Sequence, residues 1–78
     1  MLEKEFKYFI DHQDELVQKY NNRFLVIIGE NVVGDYDDYE QAYFESIKKY
    51  ELGTFLIQLC GEGEDVYTET FHTGVIFA

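Results

Sequence analysis

The apolar stretch FLVII, residues 24–28, is the feature that most limits the fold. In an extended strand, Phe24, Val26 and Ile28 lie on one face, whereas Leu25 and Ile27 lie on the other, because successive side chains point to opposite faces. A strand that is apolar on both faces is typical of the middle of a sheet. The stretch therefore predicts a central strand.

A hairpin is predicted to begin with this strand. Gly29 and Asn31 both tolerate positive φ, so the chain is expected to reverse between them. The reversal joins a first strand over residues 23–28 to a second over residues 31–36.

Two helices are predicted. Apolar residues recur at helical spacing over residues 2–20, and Asn21 and Asn22 are expected to end this first helix. The second helix begins in an acidic cluster, where Asp37 and Glu40 are spaced as in a capping box, and Gly53 is its predicted C′ residue. Its inner stripe is predicted to contain Tyr39, Ala42, Tyr43, Ser46, Ile47 and Tyr50, with Phe44 off that stripe.

The remaining residues predict a second pair of strands. Strand three covers residues 54–60, GEGED forms the turn, and strand four lies within residues 66–77, with a bulge at Thr73 and Gly74. The fold class is therefore α+β: a single two-layer αββαββ domain over residues 1–78, with two helices and a four-stranded antiparallel or mixed sheet. Strand three is expected to pair either antiparallel with strand one or parallel with strand two.

The same periodicities predict the core. The residues expected to be mostly buried are Phe6, Phe9, Leu16, Phe24, Val26, Ile28, Ile47, Phe55 and Ile57.

Composition excludes several classes of protein. The net charge of −10 repels nucleic acids and anionic membranes, and leaves a basic protein as a partner if the acids cluster on one face. The longest apolar run is too short to cross a bilayer, and the acidic start of the chain is unlike a secretory signal. One cysteine in 78 residues provides no intrachain disulfide, which favours the cytoplasm.

No motif supports a catalytic, cofactor-binding or metal site. Cys60 and His72 are expected in neighbouring strands, but no helix N-terminus or nearby cation is predicted to activate the thiol. The acidic DYDDYE stretch lacks the glycine and the distal glutamate of a calcium loop, and GEGED lacks a phosphate-binding lysine.

The aromatic content suggests a contact surface. Seven Tyr and seven Phe exceed what a thin sheet and two helices can bury, and Tyr and Phe are enriched in interfaces. A homodimer tightened by salt is therefore expected, with its contact on the neutral strand-three and strand-four side. The candidate interface residues are Phe44, Tyr67, Phe71, His72 and Val75.

The stretches LVQKYNNRFLVIIGENVVGDYDDYEQAY and ELGTFLIQLCGEGEDVYTETFHTGVIF resemble a family of short bacterial proteins catalogued as a domain of unknown function. The shared features are structural, and the resemblance implies no activity, cofactor or catalytic residue. We therefore expect a non-enzymatic cytoplasmic module that binds another protein. The alternative is a small enzyme or ligand-binding protein with Cys60 and His72 in a cleft between helix and sheet.

Overall fold

A computed structural model of the chain describes residues 2–63 and 65–72. Its sheet is antiparallel, with the strand order β2-β1-β3-β4, and the predicted α+β class is confirmed. The elements in chain order are α1 (Glu3–Asp11), α2 (Gln13–Tyr20), β1 (Phe24–Ile28), β2 (Asn31–Tyr36), α3 (Tyr39–Ile47), β3 (Leu56–Leu59), a 3-10 helix (Asp65–Glu69) and β4 (Thr70–His72).

The domain has three layers rather than the predicted two. On one face of the sheet, Leu25 and Ile27 of β1 pack in a cluster with Phe9 and other residues of α1 and α2. On the opposite face, Val26 packs in a second cluster with Ala42 of α3. The prediction of two layers was wrong because a strand that is apolar on both faces needs a helical layer on each side.

Strand β1 is central, as predicted, and this position decides how β3 pairs. Strand β1 lies between β2 and β3 and pairs antiparallel with both. In the β1–β3 pair, Val26 lies opposite Ile57. Of the two pairings left open by the sequence, the antiparallel one with strand one is therefore present. Helix α3 carries the chain across β1, so the most apolar strand has a neighbour at each edge.

The predicted first helix is broken at His12, so the described residues contain three α-helices where two were predicted. The His12 backbone leaves helical geometry, with φ −116° and ψ 16°. Its ring Nδ1 donates to the Tyr8 carbonyl at 3.1 Å, and the ring stacks on Tyr8 with centroids 4.5 Å apart. The backbone N–H of His12 also donates to the Tyr8 carbonyl at 3.1 Å, so the ring nitrogen shares this acceptor and the helix bends here without losing that hydrogen bond.

Helix α2 ends at Tyr20 with Asn21 as its C-cap, and Asn22 follows with φ 67°, the left-handed conformation predicted for this pair of asparagines. Gly53 is not a C′ residue, because α3 ends at Ile47. The positive φ of Gly53, 90°, instead serves the turn that leads to β3.

The cap of α3 is Asp38 rather than the predicted Asp37. The Asp38 carboxylate accepts a hydrogen bond from the Gln41 N–H at 2.7 Å. Asp37 is instead ion-paired with Arg23 at 2.5 Å, and its side chain is 80% exposed. Sequence spacing favoured Asp37 because Glu40 follows it by three residues, but the helix begins one residue later.

We expect Asp38→Ala to lower the free energy of unfolding by about 1 kcal/mol, because it leaves a helix N–H without its side-chain acceptor. The matched control is Asp37→Ala, which removes only an exposed ion pair and should change stability by less than about 0.5 kcal/mol. Urea denaturation of both variants measures the difference. A larger loss for Asp37→Ala would restore the capping box predicted from sequence.

The second half of the chain also departs from the predicted strands. Residues 65–69 form a 3-10 helix, so β4 is limited to residues 70–72 in the described part of the chain. The bulge predicted at Thr73 and Gly74 lies outside the described residues. A register shift occurs instead in the first hairpin, where Val26 pairs with Gly34 and Ile27 with Val32.

Most of the predicted core is buried. Ile47 is the clear error, because it is 40% exposed on the face of α3 that points away from the sheet. The predicted core residues that are buried are Phe9, Leu16, Val26, Phe55 and Ile57, whereas Phe6, Phe24 and Ile28 are half-buried.

Candidate functional site

The environment of Cys60 opposes a role as a nucleophile. Its side chain has no exposed surface and lies in the cluster beneath α1 and α2. Burial raises the pKa of the Cys60 thiol to about 11. A nucleophilic cysteine needs the opposite shift, because the thiolate is the reactive form.

Cys60 and His72 are not cross-strand neighbours. His72 lies opposite Leu56 in the register of β3 with β4. Cys60 follows Leu56 by four residues, which in an extended chain is about 13 Å along the strand. The backbone therefore does not bring these two residues together as a catalytic pair.

We expect Cys60 to resist alkylation by iodoacetamide in the native protein between pH 6 and 9, and to react readily in urea. Reactivity in the native state should rise only as the pH approaches about 11, because the raised pKa keeps the thiol protonated below that value. Mass spectrometry of the labelled protein measures this profile. Rapid native labelling at pH 7 would revive the alternative of a thiol enzyme.

The three aspartates of the DYDDYE stretch have structural partners. Arg23 Nε donates to Asp35 and its Nη1 to Asp37, both at 2.5 Å, and these carboxylates raise the pKa of the guanidinium. Asp38 is engaged at the start of α3. Within residues 2–63 and 65–72, no group of three or more His, Cys, Asp or Glu side chains is arranged to hold a metal ion.

Two glutamines fasten the segment after β3 to the domain, and sequence reasoning missed both. Gln13 at the start of α2 donates to the carbonyls of Gly61 and Gly63 at 2.8 and 2.9 Å. Gln58 has no exposed surface; it donates to Val66 O at 2.8 Å and accepts from the Thr70 hydroxyl. A glutamine inside the apolar run FLIQLC was the one signal for this network, because a buried amide needs partners.

Tyr67, one of the five predicted interface residues, is tied into the same network. Its hydroxyl donates to Gln13 Oε1 at 2.8 Å, and its half-buried ring meets Phe6 edge-on with centroids 5.4 Å apart. These contacts within the chain cover much of the Tyr67 ring, so its presence does not require a partner protein. Of the other candidates, Phe71 and His72 belong to β4, and Val75 lies outside the described residues.

Phe44, the remaining candidate, belongs to an exposed apolar patch at the C-terminal half of α3. We define this α3 patch as Phe44, Ile47 and Leu52, whose exposed fractions are 54%, 40% and 53%. Phe44 and Ile47 are one helical turn apart, and Ile47 and Leu52 line the same open cleft of about 490 Å³. The half-buried Tyr43 lies in this cleft, and its ring contacts Phe44 at a centroid distance of 5.7 Å.

The charges at the α3 patch differ from those of the rest of the chain. Lys48 and Lys49, the one pair of adjacent basic residues in the sequence, lie beside it. Lys48 Nζ is 3.4 Å from Glu45, but both side chains are exposed, so this ion pair is weak. The α3 patch thus lies beside two lysines and the acid Glu51, on a protein whose net charge is −10.

A second cleft lies between α2 and the segment after β3, with a volume of about 570 Å³. Gln13 and Tyr67 in its wall are already hydrogen-bonded to each other, and Asp14 and Glu62 make it acidic. Its lining is mainly polar, with Val17 and Tyr67 as the larger apolar side chains. The α3 patch is therefore the better candidate for a functional surface.

The helices within the described residues are too short and too polar to cross a membrane.

Comparison with known proteins adds no relative from which a site could be transferred. The resemblance to a family of short bacterial proteins thus stays a prediction, and function must be inferred from this chain's own residues. No protein-family model, no curated protein and no solved structure matches the chain.

Proposed function

We propose that the protein is a non-enzymatic module that binds another protein chain through the α3 patch. The observation that carries the proposal is the exposure of Phe44 and Ile47 one turn apart on α3, with the exposed Leu52 in the same cleft as Ile47. Removing large apolar side chains from water is the main driving force of protein association. Aromatic residues surrounded by polar ones are also typical of binding hot spots.

The geometry of α3 supports this function because one face of the helix packs on the sheet and the opposite face is exposed. Ala42 and Ser46 are buried against the sheet and hold the helix in place. Phe44 points away from this core, so the fold does not need a large side chain there. An exposed phenylalanine on a rigid helix offers contact area at a small cost in conformational entropy.

The alternative of an enzyme or ligand-binding protein has less support. Cys60 is buried and its thiol pKa is raised, and the register keeps its backbone away from that of His72. Cys60 does not line the cleft beside α3.

The test is to express the protein in its native host with a photo-crosslinking phenylalanine analogue at position 44. The matched control carries the analogue at position 10, because Ile10 is 41% exposed and lies on α1, on the other side of the sheet. We expect a discrete protein adduct from position 44 that is absent from position 10. Equal adduct patterns at the two positions would contradict the proposal.

The adduct must then be reproduced with purified components. Mass spectrometry identifies the crosslinked chain, and titration measures its affinity for the wild-type protein and for Phe44→Ala. We expect Phe44→Ala to weaken binding at least tenfold and Ile10→Ala to leave it unchanged. Unchanged binding by Phe44→Ala would remove the α3 patch as the binding surface.

A further inference from the structure

We propose that the occupant of the α3 patch is a second copy of this chain, bound with the two α3 helices antiparallel and centred on Phe44. This inference rests on the proposed function, because it names the partner of the same surface. It places the contact on α3 rather than on the strand-three and strand-four side expected from sequence.

The first support is the arrangement of residues around Phe44. With 100° between successive residues, Glu40 and Lys48 lie about 40° to either side of Phe44, and Gln41 and Ile47 about 60°. Lys48 still has helical backbone geometry, with φ −76° and ψ −21°. All five residues are exposed, so they form one continuous outward face.

The second support is that the charges on this face are self-complementary. Glu40 and Lys48 are each four residues from Phe44, in opposite directions. In a twofold antiparallel pair whose helices cross along their i±4 rows, Glu40 of one copy lies opposite Lys48 of the other, and this contact occurs twice. Glu40 has no ion-pair partner within the described part of the chain, and Lys48 has only the weak contact with Glu45.

The same symmetry places like with like at the centre. The two Phe44 rings meet there, because the twofold axis passes between them. Antiparallel helices also place the positive end of one helix dipole beside the negative end of the other. A parallel arrangement would instead put Glu40 against Glu40 and Lys48 against Lys48.

The contact is small, so the dimer should be weak. One helical face of about two and a half turns is below the area of a standard stable interface. The net charge of −10 on each copy opposes association further. We therefore expect dimers at high micromolar concentration and monomers at low micromolar concentration.

The test is sedimentation velocity of the purified full chain from micromolar to millimolar concentration, for the wild type, Glu40→Lys and Lys48→Glu. We expect each charge variant to weaken self-association at least tenfold, because each places like charges opposite one another twice. An equimolar mixture of the two variants should dimerise like the wild type, since every contact again joins an acid to a base. Circular dichroism melting of each variant shows that it is folded.

Glu40→Lys separates the proposal from a general effect of charge. This variant moves the net charge two units toward zero from −10. If only the repulsion between the net charges of two copies mattered, association should therefore become tighter. The antiparallel helix pair predicts weaker association. Phe44→Ala should abolish the dimer, whereas Ile10→Ala should leave it intact.

Several results would overturn the inference. These are a monomer at all concentrations, a dimer that Glu40→Lys strengthens, a mixture that fails to restore association, or a dimer that Phe44→Ala leaves unchanged. A monomeric pure protein that still forms a position-44 adduct with a different protein would refute the second copy and leave the proposed function standing.

Discussion

Replacing Phe9 with alanine is expected to lower the free energy of unfolding by about 3 to 5 kcal/mol. Phe9 has no exposed surface and packs between the helices and the sheet, where its ring also meets that of Tyr67 edge-on at a centroid distance of 6.3 Å. Truncation removes this apolar area from the core and leaves a cavity. For a domain of 78 residues, such a loss is a large part of the total stability, which is of the order of 10 kcal/mol.

Urea denaturation followed by circular dichroism measures the effect. The matched control is Ile10→Ala on the same helix, because Ile10 is 41% exposed and should cost about 1 kcal/mol or less. Equal losses for the two variants would mean that α1 presents a different face to the sheet.

The second large effect is expected for Phe55→Ala, also about 3 to 5 kcal/mol. Phe55 has no exposed surface, but it belongs to the cluster on the α3 side of the sheet, with Val26, Ala42 and Ile57. Its ring lies 6.3 Å from that of Tyr50, which helps to close this smaller core. The same urea experiment applies.

The control for this prediction is Phe44→Ala, measured at a concentration where the protein is a monomer. Phe44 is 54% exposed, so its truncation should change the stability of the monomer by less than about 1 kcal/mol. A cost as large as that of Phe55→Ala would mean that Phe44 is part of the core and not of a binding surface.

Together the two core variants test the three-layer architecture. In a two-layer domain, one face of the sheet is open to solvent, so an aromatic residue on that face contributes little to stability. Large and similar losses for Phe9→Ala and Phe55→Ala require a buried cluster on each face. A loss of less than about 1 kcal/mol for either variant would contradict the layer assigned to it.

The candidate surface was only partly visible in the sequence. Phe44 was predicted to point off the inner stripe of its helix, and it is exposed. The importance of Ile47 was hidden because its spacing fits the buried stripe. Its exposure depends on how α3 is rotated against the sheet, which the buried Ala42 and Ser46 determine.

The sequence by itself determined the local features of this protein. The apolar run at residues 24–28 specified a central strand, Gly29 with φ 62° specified the hairpin turn, and Asn21 and Asn22 specified where the N-terminal helical segment ends. Each of these depends on side-chain alternation or on backbone conformations within a few residues. Local patterns report such properties directly.

Only the tertiary structure decided the rest, because it depends on contacts between residues far apart in the chain. The second helical layer requires α3 to pack on Val26, and the position of β3 depends on pairing with β1. Arg23 engages Asp37 across 14 positions in the sequence, which leaves the cap of α3 to Asp38. Neighbouring acids look alike in a sequence, and the choice between them is made by the partner that the fold brings close.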